Sequence, residues 1–402
     1  MIRDPLVGEL LDGRYRVEAA IASGGMSTVY RGLDIRLDRP VALKVMDARY
    51  AGDHQFITRF QREARAIARL KHPGLVGIYD QGNDTSHPFL VMELVDGGTL
   101  RELLTERGPM PPHAVLAVLR PVLGGLAVAH RAGLVHRDIK PENVLISDDG
   151  EVKLVDFGLV RASAEAGITS TSVILGTAGY LSPEQVLGHP TGPHSDVYAA
   201  GIMAFELLTG VTPFTGDNAL AVANQRLDRD VPPPSSMIDG VPPEFDSFIA
   251  SATAREPEER FADASAMDDA LEIVADELEL PYFRVPAPRK SAQHAAQHAA
   301  ATAGRRPRSS TTRQLTPAPQ PRRSDPPVHT DGSVPDQPAT VGTNAPAEVK
   351  QFAGIDVDEF AWARQRGRRT VVLWVLTVLI LTGLVAGAAW NLGVHLPDLI
   401  GR

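Results

Sequence analysis

The sequence predicts an α+β fold of two lobes, in which an antiparallel sheet with one helix precedes a mainly helical lobe. Short segments of β-branched or alternating residues, separated by turn residues, predict the strands of the first lobe. These segments are residues 15–20, 29–33, 41–46, 76–79 and 89–94. One helix interrupts the strands, since a set of apolar residues recurs at helical spacing. This set is Phe56, Phe60, Ile67 and Leu70.

After Gly97 the apolar residues change to helical spacing, which predicts a second lobe made mainly of helices. The predicted helices are residues 111–130, 197–208, 219–227, 243–254 and 264–280. Pro121 lies inside the first of them, where a proline costs roughly 3 kcal/mol unless the helix kinks. We assign residues 1–13 to an N-terminal extension, residues 14–95 to the first lobe and residues 96–283 to the second.

Composition excludes several classes of function. The chain has 402 residues, a formal net charge of -9 and no cysteine. The negative charge would repel a phosphate backbone, and no basic stripe with interleaved aromatic residues occurs in the two predicted lobes. We therefore expect no nucleic-acid partner. The absence of cysteine excludes disulfides, thiolate metal sites and thiol nucleophiles.

The last part of the chain predicts a linker and a membrane anchor. From residue 286 to about residue 347 the composition shifts to Pro, Ala, Ser, Thr, Gln and Arg, which bury too little apolar area to become ordered. We therefore predict a disordered linker there, within a juxtamembrane segment at 284–369. Residues 371–390 are uncharged and strongly apolar, and about 20 helical residues span a ~30 Å hydrocarbon core. A buried globular helix is the alternative, disfavoured because a linker precedes it and few residues follow. We predict a transmembrane helix at 370–390 and a short extracytoplasmic tail at 391–402.

The flanks of this segment predict its orientation. Trp374 and Trp390 lie near its two ends, and four arginines between positions 364 and 369 precede it. Positive charge stays inside, so we expect a single-pass protein of the plasma membrane with the two lobes in the cytoplasm. Gly383 and Gly387 form a small-xxx-small pair that favours a homodimer, although glycines are also common in membrane helices that do not pair.

Two charged residues occupy apolar positions of the first lobe. Glu63 lies on the helical face of Phe60 and Ile67, where an unpaired buried carboxylate would cost several kcal/mol. Lys44 lies near the end of an apolar strand segment and faces the same cost. We predict that they form an ion pair if the helix packs on the sheet. From these two residues alone, a purely structural salt bridge explains the pattern equally well.

Three segments carry the residues of a phosphoryl-transfer site. Residues 21–29 form a hairpin of small residues whose amides can approach phosphates, although most such hairpins are simple turns. Residues 136–143 read His-Arg-Asp-Ile-Lys-Pro-Glu-Asn and place a base, a cation and an amide oxygen in one loop. Asp156 precedes Phe157 and Gly158 at a strand end, as expected of a Mg²⁺ ligand. Either of the last two alone could be a polar turn, but their order indicates phosphoryl transfer.

With these motifs the sequence resembles the protein kinase family over residues 14–280, and within it the receptor-type serine/threonine kinases of actinobacteria. The resemblance implies the bilobal protein kinase fold. It also implies that Asp138 is the catalytic base and that Lys140 neutralises the γ-phosphate. Lys44 and its helix partner Glu63 complete the catalytic set. The implied ligands of Mg²⁺ or Mn²⁺ are Asn143 and Asp156, and the implied structural residues are Glu184, which pairs with Arg260, and Asp196, which braces the catalytic loop.

The resemblance implies an ATP site between the lobes, with Met92 as gatekeeper and a hinge from Glu93 to Val95. The expected ATP contacts are Ile21, Ala22, Ser23, Gly24, Gly25, Met26, Ser27, Val29, Ala42, Lys44, Met92, Glu93 and Val95. The chain departs from the family at Ala22 and Ser27, which replace two of its three loop glycines. Both replacements are small enough for a phosphate to approach, but they bear on loop flexibility and ATP affinity.

The resemblance further implies regulation by phosphorylation. Arg137 beside the base can pair with a phosphothreonine, and Thr169 and Thr171 stand at the spacing that the family uses for it. Autophosphorylation between two copies would then favour a homodimer. Threonines of the linker beside arginines are candidate docking sites for phosphothreonine-binding partners of the FHA type. These threonines are Thr311, Thr312 and Thr316.

Three other functions compete with a kinase acting on protein substrates. A catalytically inactive scaffold would lack a catalytic residue, yet the set from Lys44 to Asp156 is complete. A small-molecule phosphotransferase is disfavoured by Ser182-Pro183-Glu184 and the threonine-bearing loop, which build a protein-substrate groove in the resembling family. A membrane adaptor that works through its linker is compatible with kinase activity.

Overall fold

Six strands form the antiparallel sheet of the first lobe. They are Leu10–Leu11 (β1), Tyr15–Ser23 (β2), Ser27–Asp34 (β3), Arg39–Met46 (β4), Ile78–Asp84 (β5) and His87–Met92 (β6). Their order across the sheet is β1-β2-β3-β4-β6-β5. The pairing of β3 with β4 is regular along both strands, whereas the pairing of β2 with β3 contains two register shifts. Four of the five predicted strands are confirmed, the one predicted at 76–79 lies instead at Ile78–Asp84, and the two-residue β1 is too short to show an alternating pattern.

One helix, His54–Ile67 (α1), packs against this sheet. Its N-cap is Asp53, whose carboxylate accepts hydrogen bonds from the backbone N–H groups of Gln55 and Phe56, the usual way to satisfy the first amides of a helix. The predicted apolar face is confirmed, because Phe56, Phe60 and Ile67 are all buried in the core. Leu70 lies beyond the helix end and is partly buried against the same core.

The second lobe is mainly helical, as predicted. Its helices are Leu100–Arg107 (α2), Pro112–Arg131 (α3), Pro183–Val186 (α4), Pro193–Thr209 (α5), Ala219–Asp228 (α6), Pro243–Ala252 (α7) and Ala264–Glu277 (α8). Three short strands, Gly97–Thr99 (β7), Val144–Ser147 (β8) and Val152–Leu154 (β9), form a second sheet below the first. The helix α5 is buried from Ser195 to Thr209 and is the centre of this lobe. The strand before Asp156 is confirmed as β9, whereas α2, α4, β7 and β8 were not predicted.

Helix α3 is the one helix of the described residues that is long and apolar enough to cross a membrane by composition. Most of its apolar residues are buried in the core of the second lobe, so packing within the protein accounts for them; these are Val115, Val118, Leu119, Val122, Leu123 and Leu126. The helix continues through Pro121. The backbone at Gly74 passes against the carbonyl of Pro121, and a side chain at position 74 would collide with it.

The computed structural model describes residues 4–84, 87–157, 178–304, 351–352 and 355–356. The chain divides into two units, Met1–Thr312 and Arg313–Arg402. The described part of the second unit is a pair of antiparallel strands, Gln351–Phe352 (β10) and Ile355–Asp356 (β11). The predicted transmembrane helix and tail lie outside the described residues, as do Thr169, Thr171 and the linker threonines.

The prediction of a disordered linker is wrong for its first part, residues 284–304. This stretch packs on the two lobes and contains the helix Ala292–Gly304 (α9), with Val285, Ser291 and Ala296 buried. Large apolar side chains are scarce in this stretch, but alanine has the highest helix propensity and loses no side-chain entropy on burial. An alanine-rich segment can therefore become ordered with little apolar area.

Candidate active site

The loop that carries the candidate base is held by one buried carboxylate. Asp196, in the first turn of α5, accepts hydrogen bonds from the backbone N–H groups of His136 and Arg137, both at 2.7 Å. Its Oδ2 also lies 2.9 Å from Nε2 of His130 in α3. Arg137 has a φ of 66°, a strained value for a side-chain-bearing residue. Asp196 therefore braces this loop from below, as the resemblance implied.

His136 links the loop to the strand that leads to Asp156. Its Nε2–H donates to the carbonyl of Val155 at 3.0 Å, and its Nδ1 accepts the backbone N–H of Asp138 at 3.3 Å. Burial lowers the pKa of the His136 imidazole, which favours the neutral ring that these two contacts require. The ring thus connects the loop of Asp138 to the end of β9.

The candidate base lies within reach of a cation and an amide. The Nζ of Lys140 lies 2.8 Å from Oδ2 of Asp138. The amide nitrogen of Asn143 donates to the backbone carbonyl of Asp138 at 2.7 Å and to its Oδ2 at 3.1 Å. The amide oxygen of Asn143 consequently points away from Asp138. The structure brings together all three residues that the loop motif predicted.

Lys44 contacts Asp156 and not Glu63. Its Nζ lies 2.7 Å from Oδ1 of Asp156, and the ion pairs of the described residues include none between Lys44 and Glu63. The predicted pair is therefore absent. Asp156 has a φ of 63°, and this left-handed turn after β9 carries its carboxylate to the ammonium. Glu63 is half-buried: burial raises the pKa of its carboxyl, and the nearby charge of Arg137 opposes that rise.

The oxygen donors of this cleft fit a magnesium ion that completes its shell with phosphates. Asp156 supplies a carboxylate and Asn143 an amide oxygen, both favoured by Mg²⁺. No group of three or more acidic or histidine side chains in the described part of the chain could hold a metal by itself. Mg²⁺ commonly takes one or two carboxylates plus phosphate oxygens and water, so two protein ligands suffice.

The hairpin between β2 and β3 stands open above the cleft. Gly24 N–H donates to the carbonyl of Ser27 at 2.9 Å and closes the turn. Outside the turn, Arg49 donates to the carbonyl of Gly25 at 3.0 Å. A side chain at Gly24 would make only ordinary contact with the carbonyl of Ser27, so the packing of the protein does not itself require a glycine there. The open space beside the turn suits a phosphate that approaches the backbone closely.

The predicted nucleotide contacts on the strands share one wall of the cleft. Val29 is the register partner of Lys44, and Ala42 is the register partner of Met92. At the hinge, the carboxylate of Glu93 is held by Lys153 at 2.9 Å, and the backbone N–H of Glu93 donates to the carbonyl of Gly77. These contacts fix the end of β6, from which Val95 continues along the cleft.

A second ion pair anchors α4, the helix Pro183–Val186. Arg260 donates two parallel hydrogen bonds to Glu184, at 3.0 and 2.9 Å, and Ser195 donates a third at 2.6 Å. Burial by itself would raise the pKa of the Glu184 carboxyl, but the hydrogen bonds from Arg260 and Ser195 outweigh this effect and lower the pKa to about 2. Arg260 also donates to three backbone carbonyls. The pairing of Glu184 with Arg260 is the one that the resemblance implied.

Sequence reasoning missed a cluster beside the catalytic loop. Arg101 of α2 lies 2.8 Å from Glu142 of the loop and 2.7 Å from Glu206 of α5. Tyr180 also bonds to Arg101 and Glu206, and burial together with the Glu206 charge raises the pKa of its hydroxyl. The partners of Arg101 are 41, 79 and 105 residues away. No local spacing could have revealed the cluster.

Comparisons with known proteins agree with this geometry. The family model described as a protein kinase domain matches residues 15–272. The chain is 64% identical to the serine/threonine-protein kinase PknL of Mycobacterium bovis, over 99% of this chain and 98% of that protein. The corresponding protein of Mycobacterium tuberculosis is 63% identical over the same shares. Among solved structures, the C20A mutant of the Mycobacterium tuberculosis PknI kinase domain matches with a TM-score of 0.55 and 27% identity, covering 68% of this chain and all of that one.

Proposed function

Since this chain belongs to the protein kinase family and is a serine/threonine protein kinase of the PknL type, we propose that it transfers the γ-phosphoryl group of ATP to protein serine and threonine hydroxyls, its own among them. The observation that carries the proposal is the contact of Asp138 with both Lys140 and Asn143. This arrangement offers a base for the hydroxyl proton and a cation for the transferring group.

The mechanism follows from what these side chains can do. Asp138 accepts the proton of the attacking hydroxyl, and Lys140 neutralises charge on the phosphoryl group. Lys44 binds phosphate oxygens, while Asn143 and Asp156 would hold Mg²⁺ or Mn²⁺. The bound ion would neutralise phosphate charge and orient the transferring group. Binding of phosphate by Lys44 and of the metal ion by Asp156 then requires the contact between these two side chains to break. Because it is a single contact, it can be replaced by the new partners.

A pair of variants tests the proposed transfer. Asp138→Asn removes the base, and we expect incorporation of phosphate into a generic protein substrate to fall by roughly 10²- to 10⁴-fold. Asp239→Asn makes the same change at an exposed position and should leave the rate unchanged. A folded Asp138→Asn protein with the wild-type rate, or phosphate found on residues other than serine and threonine, would contradict the proposal.

We further propose that phosphorylation at Thr169 and Thr171 activates the enzyme. The support is Arg137, a cation next to the catalytic base that could pair with a phosphothreonine. Mass spectrometry of active protein should find phosphate on these two residues. A double substitution to alanine should lower the rate, and unchanged activity would reject the proposal.

The proposed anchor is a single transmembrane helix at 370–390, with the kinase lobes in the cytoplasm. The support is its uncharged, apolar sequence and the arginines before it. Membrane fractionation of the full chain, compared with a chain that ends before residue 370, tests it. In the same helix, Gly383→Ile with Gly387→Ile should reduce crosslinking of a homodimer if these glycines pair. Binding of FHA-type partners to phosphorylated linker threonines completes the proposal and can be tested by pull-down.

A further inference from the structure

We infer that residues 284–304, here called the strap, contact both lobes and thereby position the hinge and the hairpin between β2 and β3, here called the nucleotide hairpin. The inference rests on the proposed function only in placing ATP between the lobes. The strap begins on the second lobe, where Val285 is buried beside the turn of β8 and β9. A side chain at Gly150 in that turn would meet the Arg284 side chain at 2.7 Å and the Val285 carbonyl at 2.9 Å. The strap is therefore closely packed at its start.

The strap next packs against the segment that leaves the hinge. Ser291 is buried and donates to the carbonyl of Gly97. A side chain at Gly98 would meet Pro288 at 2.5 Å and Ser291 at 2.7 Å. The φ of Gly98 lies outside the left-handed region. The Glu102 carboxylate lies 2.8 Å from the same point. Side chains, two of them from the strap, and not the backbone conformation exclude larger residues at this position.

Two carboxylates of α2 hold the start of the strap helix α9. Glu102 accepts the backbone N–H of Ala292 at 2.9 Å, and Glu106 accepts that of Arg289 at 2.7 Å. The other oxygen of Glu102 accepts the N–H of Thr99, so one side chain caps both α2 and α9. Carboxylates at a helix N-terminus bind amides that lack a partner within the helix and favour its dipole.

The helix α9 then packs on β2, the strand that leads into the nucleotide hairpin. Gln293 donates to Asp96 at 3.3 Å, and Arg31 of β3 donates to the same carboxylate oxygen at 3.1 Å. Ala296 is only 3% exposed. From the other side of the helix, His294 lies 3.1 Å from Asp148 of the second lobe. One short segment thus contacts the second lobe, the hinge exit and the first lobe.

This connection has a kinetic consequence. A nucleotide between the lobes contacts the hairpin from above and the catalytic loop from below, so its affinity depends on how the lobes are held. The strap touches the first lobe and the hinge but neither Asp138 nor Lys140. Loosening it should therefore raise the KM for ATP much more than it lowers kcat.

The experiment uses the full chain and two matched pairs of variants. Ala296→Glu places a charge in the buried contact with the first lobe, and Ala299→Glu makes the same change at an exposed position of the helix. Gln293→Ala removes the bond to Asp96, and Gln297→Ala is its exposed control. We expect Ala296→Glu to raise the KM for ATP by roughly fivefold to tenfold, at the lower end of couplings between sites, with kcat within about twofold of wild type. Gln293→Ala should act in the same direction, more weakly, and it covers the case in which Ala296→Glu does not fold.

Hydrogen exchange without nucleotide separates this inference from the proposed function. The amides of β2 and of residues 96–98 should exchange faster in Ala296→Glu and Gln293→Ala than in their controls. Equal exchange and equal KM within each pair would overturn the strap. If none of the proteins transfers phosphate but exchange still differs within each pair, the proposed function fails and the strap stands.

Discussion

Two ion pairs of this protein, one in the second lobe and one in the cleft, use charge in opposite ways. Glu184 and Arg260 are almost completely buried, and three hydrogen bonds to the carboxylate and three to backbone carbonyls satisfy the pair. Lys44 and Asp156 share one contact, and Asp156 is 29% exposed. The first pair is fixed by many partners and holds the structure. The second can exchange partners, as binding of a nucleotide and a metal ion requires.

The largest effect on stability should come from breaking the fixed pair. Arg260→Met leaves the Glu184 charge buried without its partner, and we expect the free energy of unfolding to fall by about 3 to 5 kcal/mol in urea titration. Arg255→Met is the control, since Arg255 pairs with Asp230 at an exposed site and should cost less than about 1 kcal/mol. Equal losses for the two variants would show that burial does not distinguish these arginines.

Breaking the exchangeable pair should affect catalysis and not stability. Lys44→Met removes a cation from the phosphate site, and we expect the rate of phosphate transfer to fall by roughly 10²- to 10³-fold. Lys71→Met removes an exposed lysine and should leave the rate unchanged. The unfolding midpoint of the Lys44→Met protein is the decisive second measurement. A large drop there would mean that this pair, too, is structural.

Acid should weaken the fixed pair within a defined pH window. The folded protein holds the pKa of Glu184 at about 2, below its ordinary value of 4.5, so its stabilisation is complete above pH 4.5 and is lost as pH falls toward 2. Unfolding measured across this window should show a contribution of up to about 1.4 kcal/mol per pH unit, the value for one proton. Glu184→Gln should lack this contribution. An unchanged slope in that variant would assign the acid sensitivity to other carboxylates.

An exposed pair should matter least. Arg120 and Glu272 lie 3.0 Å apart, with side chains that are 46% and 56% exposed. Water and salt screen such a pair, so Arg120→Gln should change the free energy of unfolding by less than about 1 kcal/mol. Raising the salt concentration should abolish even that difference between wild type and variant. A loss comparable to that of Arg260→Met would contradict the ordering by burial.

The sequence predicted what depends on neighbours along the chain. The strand pattern around Lys44 and the loop from His136 to Asn143 are local, and the structure has them as predicted. The prediction for Lys44 was wrong, because a second carboxylate, that of Asp156 in a left-handed turn, lies 2.7 Å from its ammonium. Arg101 was missed because its partners come from three distant elements.

The prediction that the strap is disordered was wrong for a different reason. Its residues are small and polar, and composition treats such residues as poor material for a folded domain. Their order comes from backbone hydrogen bonds to Glu102 and Glu106 and from the close approach that alanine permits on β2. Neither contribution appears in a count of apolar side chains. A helix that packs through small residues can be predicted only when the surface that it packs on is known.

The residue at position 98 allows the strap to be tested by comparing related sequences. Its backbone does not require glycine, and a side chain there would collide with Pro288 and Ser291 of the strap and with the Glu102 carboxylate that holds the strap. Related chains that lack a comparable segment should vary more at the matching position, where only the Glu102 contact would remain, whereas those that keep it should retain glycine. Gly98 and Ser291, which lie almost 200 positions apart, should therefore vary together, although neither touches the substrate.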